Sequence, residues 1–321
     1  MGIKRIAVLT TGGDAPGMNA AIRSVVRSAV ANKVEVMGAF RGWWGLINEE
    51  LKPFDHRSVS GIINQGGTIL KTARCPEFKT EEGQKRAYAT IKKHAIDGLI
   101  VIGGNGSFTA AHEFFKRYAV PCIGIPASID NDINGIDMTI GWDTAINTAL
   151  AAIDNIRDTA TSMERIFVVE VMGRDSGSIA LAVALAGGCE DVIIPEIKFD
   201  LGNMCHEIVN GNIRGKVSWI IVVAEGAASA TEIANKITEM TSLETRPVIL
   251  GHIQRGGRPT ALSRDLGLRL GFEAVNCLLR GETDKAVGLC CSKITTVDFE
   301  FAIQKKETKA EQWYKLIKIL T

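Results

Sequence analysis

Residues 6–19, IAVLTTGGDAPGMN, join a short apolar run to a loop with three glycines and then to the start of a helix. The run at residues 6–9 suits a strand that is buried on both faces of a parallel sheet. Glycines in the loop allow backbone N–H groups to turn toward one anion, and the helix that follows adds its positive N-terminal end. This strand–loop–helix unit predicts an α/β protein with a phosphate-holding loop.

The same alternation continues along most of the chain. Further apolar runs predict strands at residues 98–102, 121–125, 166–171 and 219–223. Helices are predicted at residues 18–31, 81–94, 144–161, 230–240 and 262–280, and a closing amphipathic helix at residues 309–320. Alternating strands and helices are typical of a doubly wound fold with parallel strands. Because the strands are too many for one compact sheet with its helices, we expect two such sheets.

The composition is that of a globular protein, with 46% hydrophobic and 23% charged residues. A formal net charge of +1 argues against a general nucleic-acid binder. Seven cysteines without regular spacing predict reduced thiols, not a disulfide framework or a zinc site. The first residues lack a signal-peptide pattern, and no apolar run reaches the ~20 residues that span a membrane. We therefore expect a soluble, cytoplasmic protein that binds neither nucleic acid nor a membrane.

The segments after the other predicted strands are also polar or rich in glycine. Residues 103–107, GGNGS, again open a helix. One such loop is common in any α/β protein, but two at neighbouring strand ends favour phosphate binding. Neither loop matches the P-loop or the dinucleotide-binding fingerprint, so the phosphate is held in another manner.

Two carboxylates, Asp130 and Asp132, follow the strand at residues 121–125 and stand close to Ser128. In phosphoryl transfer one carboxylate can accept a proton from the attacking alcohol while another helps to hold Mg²⁺. An Asx-rich turn would have the same composition, so this segment alone leaves both interpretations open.

Arginines recur near later strand ends, at Arg174, Arg246 and Arg255. Arginine presents a planar fork that matches phosphate oxygens, so its repetition predicts a second phosphate site. The natural interpretation is a phosphate donor together with a phosphorylated acceptor.

Taken in order, these segments resemble ATP-dependent 6-phosphofructokinases of the bacterial type. The resemblance extends from the first strand to about Arg280 and rests on five strings: GGDAPGMNA (12–20), IDND (129–132), VEVMGR (169–174), AGGCE (186–190) and GHIQRGG (251–257). It implies two Rossmann-like doubly wound α/β domains with mostly parallel sheets and an active site in the cleft between them. The nucleotide-binding domain would comprise residues 1–140 and 254–304, and the sugar-phosphate-binding domain residues 141–253 and 305–321.

The resemblance implies an allosteric glycolytic kinase that moves the ATP γ-phosphoryl group to the 1-hydroxyl of fructose 6-phosphate. Asp130 would be the base, Ser128 would lie near the transferred group, and Asp132 would order the metal and the nucleophile. Arg74 and Arg174 complete the catalytic set. The nucleotide would be bound by Gly12, Arg74, Gly104, Asn105, Gly106, Ser107 and Trp43. Mg²⁺ would be held by Asn105 and Asp132.

Fructose 6-phosphate would be bound by Ser128, Ile129, Asp130, Arg165, Met172, Gly173, Arg174, Glu225, Arg246, His252 and Arg255. Arg165 and Arg246 would reach the sugar phosphate from a neighbouring subunit of a homotetramer. An ADP or phosphoenolpyruvate effector would be bound by Arg23, Arg27, Arg157, Glu190, Arg214 and Lys216. Because His56 and Val217 replace two usual cations there, we expect weak or altered allostery.

Four positions near the expected nucleotide depart from the family pattern. Asn105 replaces the family's metal-binding aspartate, Ala127 replaces a glycine, Cys75 an aromatic residue and Ala110 a glycine. These departures leave open a catalytically weakened regulatory or sugar-phosphate-binding paralogue. A kinase that uses another donor, such as pyrophosphate, is the second alternative. Pyrophosphate-dependent relatives typically carry an aspartate where Gly106 stands and a lysine at Ala127, so ATP is the expected donor.

Overall fold

The computed structural model describes residues 2–321 and divides the chain into two compact units. The first unit comprises the chain up to Thr144 together with Arg255–Glu307, and the second comprises Ala145–Gln254 together with Thr308–Thr321. The nucleotide-binding and sugar-binding roles inferred for two domains stay predictions.

The elements in chain order are β1 (Arg5–Thr10), α1 (Met18–Ala31), β2 (Glu35–Ala39), α2 (Trp43–Ile47), β3 (Leu51–Phe54), α3 (Glu81–Lys93), β4 (Gly98–Gly103), α4 (Asn105–Tyr118), β5 (Cys122–Ser128), β6 (Ile140–Gly141), α5 (Trp142–Met163), β7 (Ile166–Val171), α6 (Ser178–Ala186), β8 (Asp191–Ile193), α7 (Leu201–Ile213), β9 (Trp219–Ala224), α8 (Ala230–Thr241), β10 (Thr245–Ile249), α9 (Ala261–Leu279), β11 (Lys285–Cys290), β12 (Lys293–Asp298), α10 (Phe299–Ala302) and α11 (Ala310–Leu320). Short 3₁₀ turns lie at Pro76–Lys79 and Gly251–Arg255.

The first unit contains a sheet in the order β12-β11-β5-β4-β1-β2-β3, with β6 paired to β5. Its five central strands are parallel, and the strands at both edges, β3 and β12, are antiparallel to their neighbours. All six residues of β4 are buried, as expected for a strand covered by helices on both faces. Because β1, β4 and β5 are adjacent and parallel, the loops that follow them lie side by side.

An aromatic cluster fills one side of this sheet. Trp43 stacks on Phe78 with ring centroids 4.2 Å apart, and Phe114 lies 5.4 Å from Phe78. Phe108 stacks on Phe299 at 5.1 Å. These rings join α2, α4 and α10 in one core cluster that also contains Leu9 of β1 and Leu99 of β4.

The second unit contains a four-stranded parallel sheet in the order β10-β7-β9-β8. Branched residues of β7 and β9, including Val168 and Ile221, form its core with Ile208 of α7 and Ile237 of α8. The loops after β10, β7 and β9 therefore leave the sheet at one edge.

The α/β fold class with mostly parallel sheets is confirmed. Each predicted strand is present, and β5 extends three residues further than predicted, to Ser128. Within residues 2–321, none of the helices is long and apolar enough to cross a lipid bilayer.

Candidate active site

The loops after β1 and β4 are tied directly to each other. The Thr11 N–H donates to the Ile102 carbonyl at 3.0 Å, and the Ser107 hydroxyl donates to the Thr11 carbonyl at 3.1 Å. The Thr72 hydroxyl binds the Gly12 carbonyl at 2.6 Å from a third segment. The glycine-rich loops after β1 and β4 are therefore joined by hydrogen bonds.

Glycine is required at two positions of this structure. Gly12 has φ +87°, a left-handed conformation that side chains rarely adopt. A Cβ atom on Gly103 would lie 2.3 Å from the Ser107 Oγ and 2.6 Å from the Thr11 carbonyl oxygen. Gly12 is therefore required by its backbone conformation, and Gly103 by the close approach of the two loops.

The third loop, after β5, brings the predicted catalytic side chains together. The Ser128 hydroxyl donates to Asp132 Oδ1 at 3.1 Å and accepts from the Asp130 N–H at 3.2 Å. Asn105, the first residue of α4, donates from Nδ2 to Asp132 Oδ2 at 2.9 Å and to the Asp132 carbonyl at 3.1 Å. The carboxyl end of the first sheet thus carries two half-buried carboxylates beside the glycine loops.

The oxygen ligands here fit a divalent cation that arrives with a phosphate substrate. Asn105 Oδ1 is buried and has no hydrogen-bond partner within residues 2–321, while the amide nitrogen is engaged by Asp132. No group of three or more His, Cys, Asp or Glu side chains in that range could hold a metal. A hard cation such as Mg²⁺ commonly takes one or two protein oxygens and completes its shell with phosphate and water.

Other predicted nucleotide residues differ in their surroundings. Arg74 is exposed and lies two residues beyond Thr72, which is anchored on Gly12. Trp43 is only 4% exposed because its ring is packed on Phe78. Burial in the aromatic cluster leaves little of that ring exposed, and nucleotide binding by Trp43 stays a prediction.

Arg255, the first residue of the second chain segment of the first unit, contacts the first glycine loop. Its Nη1 donates to the Asp14 carbonyl at 3.3 Å, and a Cβ atom on Gly13 would lie 2.6 Å from that nitrogen. The guanidinium therefore lies against the loop that follows β1.

In the second unit, the loops after β7, β9 and β10 lie together at the carboxyl ends of the strands. The Met172 N–H donates to Gln254 Oε1 at 2.8 Å, and the Gly226 N–H donates to the Gly173 carbonyl at 3.1 Å. Gly173 has φ +138°, which lets the chain turn sharply before Arg174. The predicted sugar ligands in these loops are Met172, Gly173, Arg174, Glu225 and His252, and the last three are exposed.

Arg165 and Arg246 lie near the amino ends of the strands of the same sheet. Arg165 precedes β7, and Arg246 pairs with Phe167 in the strand register. Both guanidinium groups bind Glu244, Arg165 through Nε at 2.8 Å. A six-residue strand is about 20 Å long, so these arginines cannot join Met172 and Glu225 within one unit.

Three of the predicted effector residues meet around one carboxylate. Glu190 Oε1 lies 3.4 Å from Lys216 Nζ and 4.0 Å from Arg157 Nη1. Glu190 also accepts the Ile220 N–H at 2.7 Å. Glu190 and Lys216 line a cavity of about 370 Å³.

The other three predicted effector residues are Arg214, Arg27 and Arg23. Arg214 is exposed at the end of α7, and Arg27 is exposed on α1. Arg23, also on α1, donates to the Val59 carbonyl at 2.7 Å.

Comparison with known proteins assigns the chain a family. The family model described as phosphofructokinase matches residues 5–278. The ATP-dependent 6-phosphofructokinase of Thermotoga neapolitana is 50% identical over 319 residues, which cover 99% of this chain and all of that protein. The protein of the same name from Bacillus subtilis is also 50% identical, with the same coverage.

Solved structures of phosphofructokinases share the fold. The Saccharomyces cerevisiae phosphofructokinase superposes with a TM-score of 0.89 and 34% identity, over 94% of this chain and 45% of that one. A pyrophosphate-dependent phosphofructokinase from Marinobacter aquaeolei has a TM-score of 0.86 at 23% identity, over 96% of this chain and 86% of that one. At that identity the second likeness shows the fold alone.

Proposed function

Because the chain belongs to the phosphofructokinase family, we propose that it is an ATP-dependent 6-phosphofructokinase. It transfers the γ-phosphoryl group of ATP to the 1-hydroxyl of fructose 6-phosphate and releases fructose 1,6-bisphosphate and ADP. One observation carries the proposal: Ser128, Asp130 and Asp132 lie beside two interlocked glycine loops at adjacent strand ends. The half-identical relatives that match over their full length bear this activity in their names.

The side chains divide the reaction among them. Asp130 accepts the proton of the sugar hydroxyl as that oxygen attacks phosphorus. Backbone N–H groups of the glycine loops, with Arg74 and Arg174, offset the negative charge that spreads over the transferred group. Ser128 holds Asp132 in place, so the two carboxylates keep distinct roles.

The divalent cation of the reaction is proposed to be Mg²⁺. Asp132 and Asn105 Oδ1 would hold it, and when bound it would neutralise charge on the donor phosphates. Asn105 contributes no charge, so the chain contributes a single carboxylate to this cation.

ATP is favoured over pyrophosphate as the donor. Ala127 lies within β5 and is 2% exposed, where pyrophosphate-dependent relatives typically carry a lysine. Gly106 lacks the second carboxylate expected of such enzymes. Asn105 supports the competing candidate, a catalytically weakened paralogue that binds sugar phosphate.

The proposed assembly is a cytoplasmic homotetramer with shared sites. The position of Arg165 and Arg246, at the edge of the sheet away from Met172, supports their action on a neighbouring subunit's sugar phosphate. ADP or phosphoenolpyruvate is the proposed effector, with Arg157, Glu190 and Lys216 as its central contacts.

Replacing Asp130 tests the proposed activity. In Asp130→Ala we expect kcat with ATP to fall by about 10²- to 10⁴-fold, because general-base catalysis contributes that much, with binding of fructose 6-phosphate retained. The measurement is steady-state turnover with ATP, GTP and pyrophosphate side by side, together with calorimetric sugar-phosphate binding. Asp158→Ala, on the exposed face of α5, is the control. Equal inactivity of wild type and Asp130→Ala, with binding intact in both, would favour the paralogue instead.

A further inference from the structure

Lys306, near the end of the second chain segment of the first unit, bridges the loop that carries Asp130 and Asp132. Lys306 Nζ donates to the Asn131 carbonyl at 2.9 Å and to the Ile136 carbonyl at 2.7 Å. These acceptors are five residues apart, one beside Asp130 and Asp132 and the other at the loop's return. One ammonium group therefore connects both sides of the loop.

The main chain before Lys306 is paired with the same loop. The Asn134 N–H donates to the Ala302 carbonyl at 3.1 Å, and Ile133 forms an antiparallel bridge with Lys305. These backbone contacts bring the segment to the loop whatever side chain stands at position 306. The lysine adds the contacts that reach Asn131 and Ile136.

Asn131 has an unusual backbone conformation within the loop. Its φ of +50° lies in the left-handed region, and it is located between Asp130 and Asp132. Its side chain donates to the Asp137 carbonyl at 3.1 Å and accepts from the Thr139 N–H at 3.1 Å. Together with the hydrogen bond from Lys306 to its carbonyl, Asn131 makes three hydrogen bonds. These bonds fix the backbone from which the side chains of Asp130 and Asp132 extend.

The surroundings of Lys306 are partly buried and carry negative charge. Partial burial lowers the pKa of its ammonium, and the charges of Asp132 and Asp137 oppose that shift. A cation placed in such surroundings loses hydration, and here the two loop carbonyls replace it. Its positive charge in turn offsets the concentration of carboxylates in the loop.

We propose that Lys306 is a positioning residue for phosphoryl transfer, which fixes the loop of residues 129–137 so that Asp130 and Asp132 stay aligned. The inference rests on the proposed function, because alignment matters only if these carboxylates act in the reaction. Lys306 lies 175 residues after Asn131 in the chain, so no local sequence motif links it to the loop.

The test compares Lys306→Met, Lys306→Arg and the control Lys305→Met. Lys305 is exposed and bridges the loop only through its backbone. In Lys306→Met we expect kcat to fall by about 10- to 100-fold, as misplacement of reacting groups does, with less than about a threefold change in the KM for fructose 6-phosphate. Lys306→Arg should recover part of kcat, and Lys305→Met should match wild type. An unchanged kcat in Lys306→Met would overturn the inference.

Hydrogen–deuterium exchange supplies a readout that is independent of activity. Lys306→Met should exchange faster than wild type within residues 129–138 and at the wild-type rate in the loop after β1. Unchanged exchange within residues 129–138 would overturn the inference, whether or not the wild-type protein is active. Inactivity of the wild-type protein would count against the proposed function alone. If Lys306→Met does not fold, Lys306→Gln replaces it, and wild-type kcat and wild-type exchange in Lys306→Gln would overturn the inference.

Discussion

Asn105 stands where the family resemblance predicts an aspartate, and its contacts show how an amide is accommodated there. An amide can donate to Asp132 Oδ2, at 2.9 Å, whereas an aspartate there would set two carboxylates against each other. The same geometry leaves Oδ1 buried and without a hydrogen-bond partner among residues 2–321. The amide therefore makes a hydrogen bond that a second carboxylate could not make, and it keeps one oxygen for the proposed cation.

Restoring the family's aspartate should make stability depend on the metal. In Asn105→Asp, loss of the hydrogen bond and the nearby like charge should lower the free energy of unfolding by about 1–3 kcal/mol in EDTA. Added Mg²⁺ should recover more of the stability in the variant than in wild type. Urea unfolding with and without Mg²⁺ measures this, with the exposed Asn64→Asp as control. Equal Mg²⁺ responses in variant and wild type would contradict the assignment of Asn105 and Asp132 to the cation.

At the scale of elements, the site depends on loops that follow adjacent parallel strands. The loops after β1, β4 and β5 meet because these strands are neighbours in the sheet, although β4 lies almost ninety residues after β1 in the chain. The fit between the first two loops leaves no room for a side chain on Gly103, while a Cβ atom on Gly106 would meet nothing within 4 Å. Of these two glycines, Gly103 alone has a steric reason to be glycine.

The two glycines provide a matched pair of variants. Gly103→Ala should lower the free energy of unfolding by about 1–3 kcal/mol, because its methyl group would overlap Ser107 and the Thr11 carbonyl. Gly106→Ala, within the first turn of α4, should be neutral or stabilise by up to about 1 kcal/mol through helix propensity. Denaturant midpoints at fixed pH compare them. Equal midpoints for the two variants would contradict this account of how the loops pack.

Element prediction succeeded for the strands that are continuous apolar runs and missed others, among them the internal strand β2 and strands at the sheet edges. β1, β4, β5, β7 and β9 are continuous apolar runs, which the sequence shows directly. The β11–β12 hairpin was missed, since its two-residue turn consists of Cys291 and Ser292, both with positive φ and neither a glycine. β3 carries Pro53 and is exposed at an edge, so it lacked both the apolar run and the alternation that identify a strand.

For the whole molecule, the cysteines match the expectation of reduced thiols. All seven are free, and Cys122, Cys189, Cys205 and Cys277 are buried. Burial raises the pKa of Cys189 to about 12 and that of Cys277 to about 12, and it raises the pKa of Cys122 as well. A buried thiol that resists ionisation favours the folded state only while the unfolded thiol also stays protonated.

Global stability should therefore decline in alkali. The pKa of Cys189 is raised above the ordinary value of 9.0, so its contribution is complete below pH 9 and is lost as the pH rises toward 12. Above pH 9 the unfolded state releases this proton first, which costs about 1.4 kcal/mol per pH unit. Urea unfolding from pH 8 to pH 10.5 should show a shallower decline for Cys189→Ala than for wild type or for the exposed Cys291→Ala. The same slope in all three proteins would refute the prediction.

The amino-acid sequence by itself determined the fold class, the family and the identity of the loops at the strand ends. These features are local: a strand shows its burial through consecutive apolar residues, and a loop shows its conformation through glycine and Asx residues. The family prediction and the α/β class are confirmed. The roles of Asp130, Asp132 and the arginines stay predictions.

Tertiary structure alone decided which distant residues meet. It placed Trp43 in the aromatic cluster, brought Arg165 and Arg246 together on Glu244, and carried Lys306 to the carbonyls of the loop at residues 129–137. The physical reason is that strand order and packing bring together segments that are far apart in the chain. The glycine loops that begin this chain's pattern were visible in the sequence, but the hydrogen bonds that join them appear only when β1 and β4 lie side by side.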